Sequence, residues 1–208
     1  NSYKQALKIK PDYADAHNNM GIALNHIGDL DAAINSYKQA LKIKPDYAQA
    51  YNNMGNIQKD KGDLEAAIES YKKAIKIKPD YSEAYYNEST VHLYKKNFKK
   101  GWSKYEWRLE RREYTFDLQT SKKTRWKESK KGRVLLWPEQ GIGDEVMFSS
   151  IITELYKKTD KLLVQADERL IPLFKRSFSK DIEFYSSNMY IDENDYDYHI
   201  PYGSLPES

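Results

Sequence analysis

Two adjacent carboxylates, Asp144 and Glu145, follow a glycine-containing loop and could support acid–base chemistry. The apolar run 134–137 before the loop predicts a strand that is buried on both faces, and Pro138 ends it. Asp144 and Glu145 then stand where a helix begins, a position that favours carboxylates. A carboxylate at the end of a strand can take the proton from an attacking hydroxyl, so we predict Asp144 as a catalytic base.

The loop itself supplies the residues that we expect to contact a substrate, namely Gln140, Gly141 and Gly143. The two glycines predict a tight turn with positive φ. A dinucleotide fingerprint is excluded because Val146 stands where it requires a third glycine, and the Gly-Lys-Ser/Thr of a phosphate loop is absent. Two carboxylates at a helix N-terminus would also repel a phosphate. These features favour an acceptor substrate over a nucleotide.

Two site residues have a structural interpretation beside the functional one. Asp144 can equally be a helix N-cap, and a capped carboxylate stays ionised, which makes it a weak base. His199, near the end of a later strand, either faces the same cleft or is a half-buried strand residue. The four histidines have no ligand spacing and the chain has no cysteine, so we predict no metal site.

Strands and helices alternate after the loop. Apolar segments predict further strands at 161–166, 182–185 and 196–200. Between the first two of these strands, the spacing of apolar residues predicts a helix with one apolar face. This alternation indicates a parallel, doubly wound sheet whose site lies at the carboxyl ends of the strands. The polar, basic segment 113–132 before it reads as a surface linker, with Trp126 as its anchor.

The first half of the chain repeats with a period of 34 residues. The repeating positions include three prolines, three alanines and four tyrosines: Pro11, Pro45, Pro79; Ala6, Ala40, Ala74; Tyr3, Tyr37, Tyr71, Tyr105. The pattern resembles the tetratricopeptide repeat, a pair of packed helices. We assign 1–112 to half a repeat, two full repeats and a degenerate one, 113–132 to the linker and 133–208 to the α/β domain. The natural protein is expected to continue before residue 1.

Asparagine recurs at the sixth position of each repeat, at Asn19, Asn53 and Asn87. This position lies on the first helix of each pair, which lines the concave face of a repeat superhelix. Since an amide offers both a donor and an acceptor, a ladder of amides can hold an extended peptide backbone. The superhelix of protein O-linked N-acetylglucosamine transferases has a similar arrangement. The alternative is that the three amides are simply solvated.

Several motifs resemble those of bacterial tetratricopeptide-repeat proteins that carry a glycosyltransferase-like domain. They are the Gly-Trp-x-x-Tyr-Glu-Trp-Arg run 101–108, Trp126 and the Leu-Trp-x-Glu-Gln-Gly-Ile-Gly-Asp run 136–144. That domain is similar to the heptosyltransferases, which have two Rossmann-like halves (the GT-B type). The resemblance implies that Gly143-Asp144 matches their loop with the proposed base. It also implies a nucleotide sugar donor, bound by a second half that 133–208 does not contain.

The leading prediction is therefore a peptide-binding repeat array joined to the acceptor half of a glycosyltransferase, with these 208 residues inactive by themselves and holding no cofactor. The alternatives are a non-catalytic interaction scaffold and a nucleotide-binding module. The net charge is only +3, and acidic residues interrupt the basic segment 95–133, which argues against a nucleic-acid partner. No apolar run is long enough to span a membrane. We expect a cytoplasmic protein.

Overall fold

The computed structural model describes residues 2–111 and 121–206. The chain divides into two compact units, residues 1–111 and 112–208. Part of the predicted linker, 113–120, lies outside the described residues.

The first unit consists of helices joined by short turns. The helices are α1 (Ser2–Ile9), α2 (Ala14–His26), α3 (Leu30–Ile43), α4 (Ala48–Asp60), α5 (Leu64–Ile77), α6 (Ser82–Tyr94) and α7 (Phe98–Tyr105), followed by a 3-10 turn, Glu106–Glu110. The most extensive packing is within the pairs α2–α3, α4–α5 and α6–α7. These pairs are the two full repeats and the degenerate one that the 34-residue period predicts.

Close packing within a repeat depends on its glycine. A Cβ atom on Gly21 would lie 2.6 Å from the Tyr37 ring, and one on Gly55 would lie 2.6 Å from the Tyr71 ring. Both tyrosines are almost fully buried. The glycine therefore lets the two helices approach until the ring fills the space between them. The degenerate repeat has the larger Ser89 at this position, which is also buried.

The turns inside the repeats explain where the second helices begin. Gly28 and Gly62 adopt φ of 84° and 83°, a left-handed conformation that favours glycine. The aspartate that follows each of them caps the next helix, since its side chain accepts a hydrogen bond from the N–H three residues later at 3.2 Å. The degenerate repeat keeps the turn but places Lys96 at a φ of 59°, and Asn97 makes no such side-chain cap.

The second unit contains a parallel sheet. Its strands are β1 (Thr124–Arg125), β2 (Arg133–Trp137), β3 (Lys161–Ala166), β4 (Glu183–Ser186) and β5 (Tyr198–Pro201), in the spatial order β1-β5-β2-β3-β4 with every pair parallel. From β2 the chain moves outward through β3 to β4, and β5 then returns to the other side of β2. The carboxyl ends of β2 and β5 therefore flank the place where the strand order reverses.

The edge strand β1 corrects the linker prediction. Thr124 and Arg125 pair with Tyr198 and His199, so part of the segment 113–132 belongs to the sheet. Trp126 is buried, as expected of an anchor, and its indole N–H donates to the Lys130 carbonyl at 2.8 Å. A two-residue strand is too short to show an alternation of apolar and polar residues. Its pairing partner also lies more than 70 residues away, so no local sequence pattern could reveal it.

Short helices α8 (Ile142–Ser149), α9 (Ile152–Lys157) and α10 (Ile171–Ser177) connect the strands. The apolar spacing from Met147 to Leu155 predicts one continuous face, but the helix breaks between α8 and α9 and Met147 is 54% exposed. On one face of the sheet Leu135 and Leu163 pack with Ile191 and Tyr196, which come from the loop between β4 and β5. Apolar burial on both faces explains why β2 and β3 read as unbroken apolar runs.

Candidate functional site

The predicted loop follows β2 at its carboxyl end, but its glycines do not adopt the predicted conformation. Gly141 has a φ of −78° and a ψ of 170°, and Gly143 lies inside α8 with an ordinary negative φ. The expectation of positive φ is therefore wrong at both positions. A Cβ atom on either glycine would meet nothing within 4 Å. The space beside both glycines is therefore open, and packing within this unit does not require glycine at either position.

Asp144 is the third residue of α8 and is partly exposed. The N-cap position is occupied by Gly141, whose carbonyl accepts the Asp144 N–H at 2.9 Å. The alternative interpretation of Asp144 as the N-cap residue is therefore wrong, because α8 begins at Ile142, two residues earlier, and its N-cap is Gly141. Its carboxylate lies in the first turn of α8.

Glu145, the second carboxylate of the predicted pair, faces the interior of its unit. It is buried, and its Oε2 accepts the backbone N–H of Asp167 at 2.8 Å, which ties α8 to the end of β3. Burial raises the pKa of the Glu145 carboxyl, and the hydrogen bond from Asp167 partly opposes that rise. Of the predicted carboxylate pair, only Asp144 is thus partly open to solvent. The predicted repulsion of a phosphate at this helix end therefore depends on Asp144 alone.

Glu139 is a site residue that the sequence reasoning did not select. It is buried between the carboxyl ends of β2 and β5, and its Oε1 accepts the Gly203 N–H at 3.1 Å and the Gln140 amide at 3.3 Å. This carboxylate joins the predicted loop to the 3-10 turn Tyr202–Ser204 that follows β5. The available signal was a carboxylate two residues after the apolar run 134–137.

Tyr202 lies in the same turn, beside α8. Its side chain is 2% exposed, and its hydroxyl has no hydrogen-bond partner within the described part of the chain. Burial raises the pKa of this hydroxyl well above its ordinary value, and the charges of Glu145 and Glu139 raise it further. The turn therefore holds a buried, protonated phenol whose pKa responds to the carboxyl groups of Glu145 and Glu139.

His199 lies on β5 opposite Leu135. Its Nδ1 accepts the indole N–H of Trp137 at 3.0 Å, and burial lowers the pKa of its imidazole. The ring is therefore neutral, with its proton on Nε2. This geometry agrees with the half-buried strand interpretation of His199, while Trp137 belongs to the core.

The three predicted asparagines lie at equivalent places on α2, α4 and α6, and the structure adds a second set of amides behind them. Asn53 Nδ2 donates to Asn18 Oδ1 at 3.2 Å, and Asn87 Nδ2 donates to Asn52 Oδ1 at 3.0 Å. Asn18 and Asn52 are buried, whereas Asn19 is exposed. The amides thus link each repeat to the one before it and are held at fixed spacing.

Comparison with known families identifies the first unit. The family model described as "TPR repeat" matches residues 1–26 and 23–62, and that described as "Tetratricopeptide repeat" matches 48–81. Among curated proteins, no significant match was found. The glycosyltransferase-like interpretation of 133–208 receives no support from these matches and remains a proposal.

Solved structures with a similar fold include two of MamA and one of YrrB. The MamA structures are 28% and 30% identical with TM-scores of 0.49 and 0.46, and they cover 52% and 56% of this chain. The structure described as "YrrB: a TPR protein with an unusual peptide-binding site" is 21% identical with a TM-score of 0.51 and covers 55% of this chain. This chain spans 64%, 66% and 59% of those three proteins respectively. Together with the helix pairs described above, the family matches show that the first unit contains tetratricopeptide repeats.

Proposed function

We propose that the repeat unit binds an extended peptide or protein segment along a concave face that carries Asn19, Asn53 and Asn87. The observation that carries the proposal is the buried second row of amides. Because Asn18 and Asn52 hold the Asn53 and Asn87 side chains in place, these amides lose little conformational entropy on binding a peptide backbone. YrrB, which has a similar fold, is described as having a peptide-binding site, which is consistent with this role.

The test replaces Asn19, Asn53 and Asn87 together by Ala and screens both proteins against a peptide array. Each lost amide contact is worth roughly 0.5–1.5 kcal/mol, so binding should weaken at least several-fold. An Asn35→Ala/Gln39→Ala variant alters exposed polar residues of α3 and should bind like the wild type. Melting curves separate lost binding from lost folding. Equal binding by the wild type and the triple variant would contradict the ladder.

For the second unit we propose the acceptor half of a glycosyltransferase-like domain of Rossmann-like architecture, with Asp144 as the general base. Three features support it: a parallel sheet with reversed strand order, open space beside Gly141 and Gly143, and a partly exposed carboxylate at that place. The donor, a nucleotide sugar, would bind to a second half. The test is whether a longer form of the protein transfers sugar and loses that activity on Asp144→Asn.

A non-catalytic scaffold is the alternative function, and one observation favours it. Glu139, Glu145 and His199, three further groups capable of acid–base chemistry in this unit, are engaged in structural hydrogen bonds. A scaffold predicts that a longer form of the protein binds peptides through its repeats and turns over no sugar donor, whereas the transferase predicts both properties.

A further inference from the structure

The degenerate repeat contains an open groove of about 580 Å³ that is lined by α6, α7 and the 3-10 turn Glu106–Glu110. Its lining combines two aromatic rings, three lysines and a serine: Tyr85, Trp107, Lys99, Lys100, Lys104 and Ser103. We call this surface the basic groove. It involves none of the three asparagines, and it does not depend on the peptide-binding face proposed above.

The walls of the basic groove are held in place by contacts within the repeat. The Tyr85 and Trp107 rings stack with centroids 4.1 Å apart and planes 5° from parallel. Lys104 Nζ lies 4.9 Å from the centre of the Tyr85 ring and 3.0 Å from Oε2 of the buried Glu88. Its charge is therefore partly balanced and its side chain is fixed. The groove thus presents a preformed aromatic platform.

Lys99 and Lys100 supply positive charge that no described acidic group balances. Both are exposed, and neither makes an ion pair within the described residues. Two cationic side chains at the mouth of a groove attract a negatively charged partner and speed its association.

The 34-residue period shows that this positive charge is specific to the degenerate repeat. The position of Lys99 is occupied by Asp31 in the first full repeat and by Glu65 in the second. Each of these acids forms an ion pair with a lysine of the following repeat, Asp31 with Lys61 and Glu65 with Lys95. At Lys99 the charge at this position is positive instead of negative. If a further repeat followed the same pattern, its lysine would face Lys99 and be repelled, whereas a carboxylate from a binding partner would form an ion pair with Lys99.

We propose that the basic groove binds an acidic peptide segment, with its carboxylates on Lys99 and Lys100 and an aromatic or apolar side chain against the Tyr85–Trp107 platform. Ser103 provides a hydroxyl for the peptide backbone. In the second full repeat the equivalent position carries Glu69, whose negative charge would repel an acidic peptide, whereas the first full repeat carries the neutral Asn35.

The experiment measures binding of the full 208-residue chain to a fluorescent twelve-residue peptide of alternating Glu and Ser with one central Tyr, by anisotropy at low salt. Lys99→Glu/Lys100→Glu should weaken binding by about tenfold, because two favourable pairs become repulsive. The control, Lys38→Glu/Lys42→Glu, makes the same change of net charge at two exposed lysines of α3 and should bind like the wild type. Circular dichroism checks that all three proteins are folded.

Four outcomes would overturn the proposal. Equal weakening in both double variants would show a response to net charge alone. Undiminished binding of a peptide with Lys in place of Glu would show that acidic groups are not recognised. Loss of binding on Asn53→Ala/Asn87→Ala with none on Lys99→Glu/Lys100→Glu would place the peptide on the other face. Tighter binding of a single-stranded oligonucleotide, abolished by the groove variant, would assign the surface to nucleic acid.

Discussion

Adjacent carboxylates in the first turn of α8 have opposite environments. Asp144 is partly exposed, while Glu145 is buried and accepts the Asp167 N–H. The two side chains point apart because consecutive helical residues lie about 100° apart around the axis. A proton acceptor for substrate must be reachable, so the chemistry proposed for this loop depends on Asp144, and Glu145 maintains the fold.

We expect opposite effects when these two carboxylates are changed. Glu145→Ala leaves a buried N–H of Asp167 without its acceptor and should lower the free energy of unfolding by about 1–3 kcal/mol. Asp144→Asn should change it by less than about 0.5 kcal/mol. Urea denaturation of the two variants tests this.

In a longer form of the protein that transfers sugar, Asp144→Asn should lower turnover by about 10²–10⁴-fold through loss of general-base catalysis. Turnover and melting measured on the same protein separate the two roles. If Asp144→Asn melts several degrees lower while its folded fraction turns over normally, the catalytic assignment is wrong.

The Trp137–His199 hydrogen bond should make the stability of the second unit depend on pH. Burial lowers the pKa of His199 below its ordinary value of 6.5 in the folded protein, and Arg125 lowers it further, opposed by the Lys123 backbone and Glu193. Below about pH 6.5 the unfolded chain therefore binds a proton that the folded chain does not. The free energy of unfolding should keep its full value above this pH and should decrease as the pH falls below it.

Urea denaturation at pH 7.5 and 5.0 measures the effect, with His199→Asn as the control. Asn keeps an acceptor for the Trp137 N–H but cannot titrate, so the loss of stability between the two pH values should be smaller in the variant. An identical loss in both proteins would show that other groups cause it.

At the scale of elements, the turns between paired helices show how the degenerate repeat differs from the other two. All three turns reverse through a residue with positive φ, but only Gly28 and Gly62 suit that conformation, while Lys96 is forced into it. A residue with a side chain pays about 1–2 kcal/mol for left-handed backbone, offset in part by the greater chain entropy that glycine loses on folding.

Lys96→Gly should therefore stabilise the repeat unit by roughly 0.5–1 kcal/mol, and Gly62→Ala should destabilise it by a similar amount. Lys96→Ala is the matched control, since it removes the lysine without relieving the strained backbone and should give no such gain. Thermal melting of the three variants measures these shifts. A gain in Lys96→Ala equal to that in Lys96→Gly would assign the effect to the lysine side chain.

At the scale of the whole molecule, an array of repeats and a parallel sheet occur in one chain as separate compact units. Within the described residues, no helix is both long enough and apolar enough to span a membrane. The proposed peptide binding belongs to the first unit, and the proposed acceptor chemistry belongs to the second.

We expect the 208-residue chain to bind nucleotide sugars no more tightly than about millimolar, because the Asp144 carboxylate occupies the first turn of α8, where a diphosphate would otherwise be favoured. Isothermal titration with uridine and adenosine diphosphate sugars tests this. Micromolar binding that Asp144→Asn leaves unchanged would contradict the acceptor role and support the nucleotide-binding alternative.

The sequence alone determined the features that arise from short-range periodicity. The 34-residue spacing of Gly21, Tyr37 and their equivalents predicted the helix pairs, since residues that pack within one repeat are near neighbours in the chain. The apolar runs of β2 and β3 predicted buried parallel strands because both faces of such strands are covered. The recurrence of asparagine at the sixth position of each repeat also followed from the period.

Only the tertiary structure decided which polar groups meet at the strand ends. Glu139 accepts the N–H of Gly203, 64 residues later, and Glu145 on α8 accepts the N–H of Asp167, which follows β3. The pairing of β1 with β5 also joins segments that are far apart in sequence. Such contacts follow from the order in which parallel strands assemble, and no local pattern of residues encodes that order. The division of α8's carboxylates into one exposed and one buried group likewise depended on what packed against the helix.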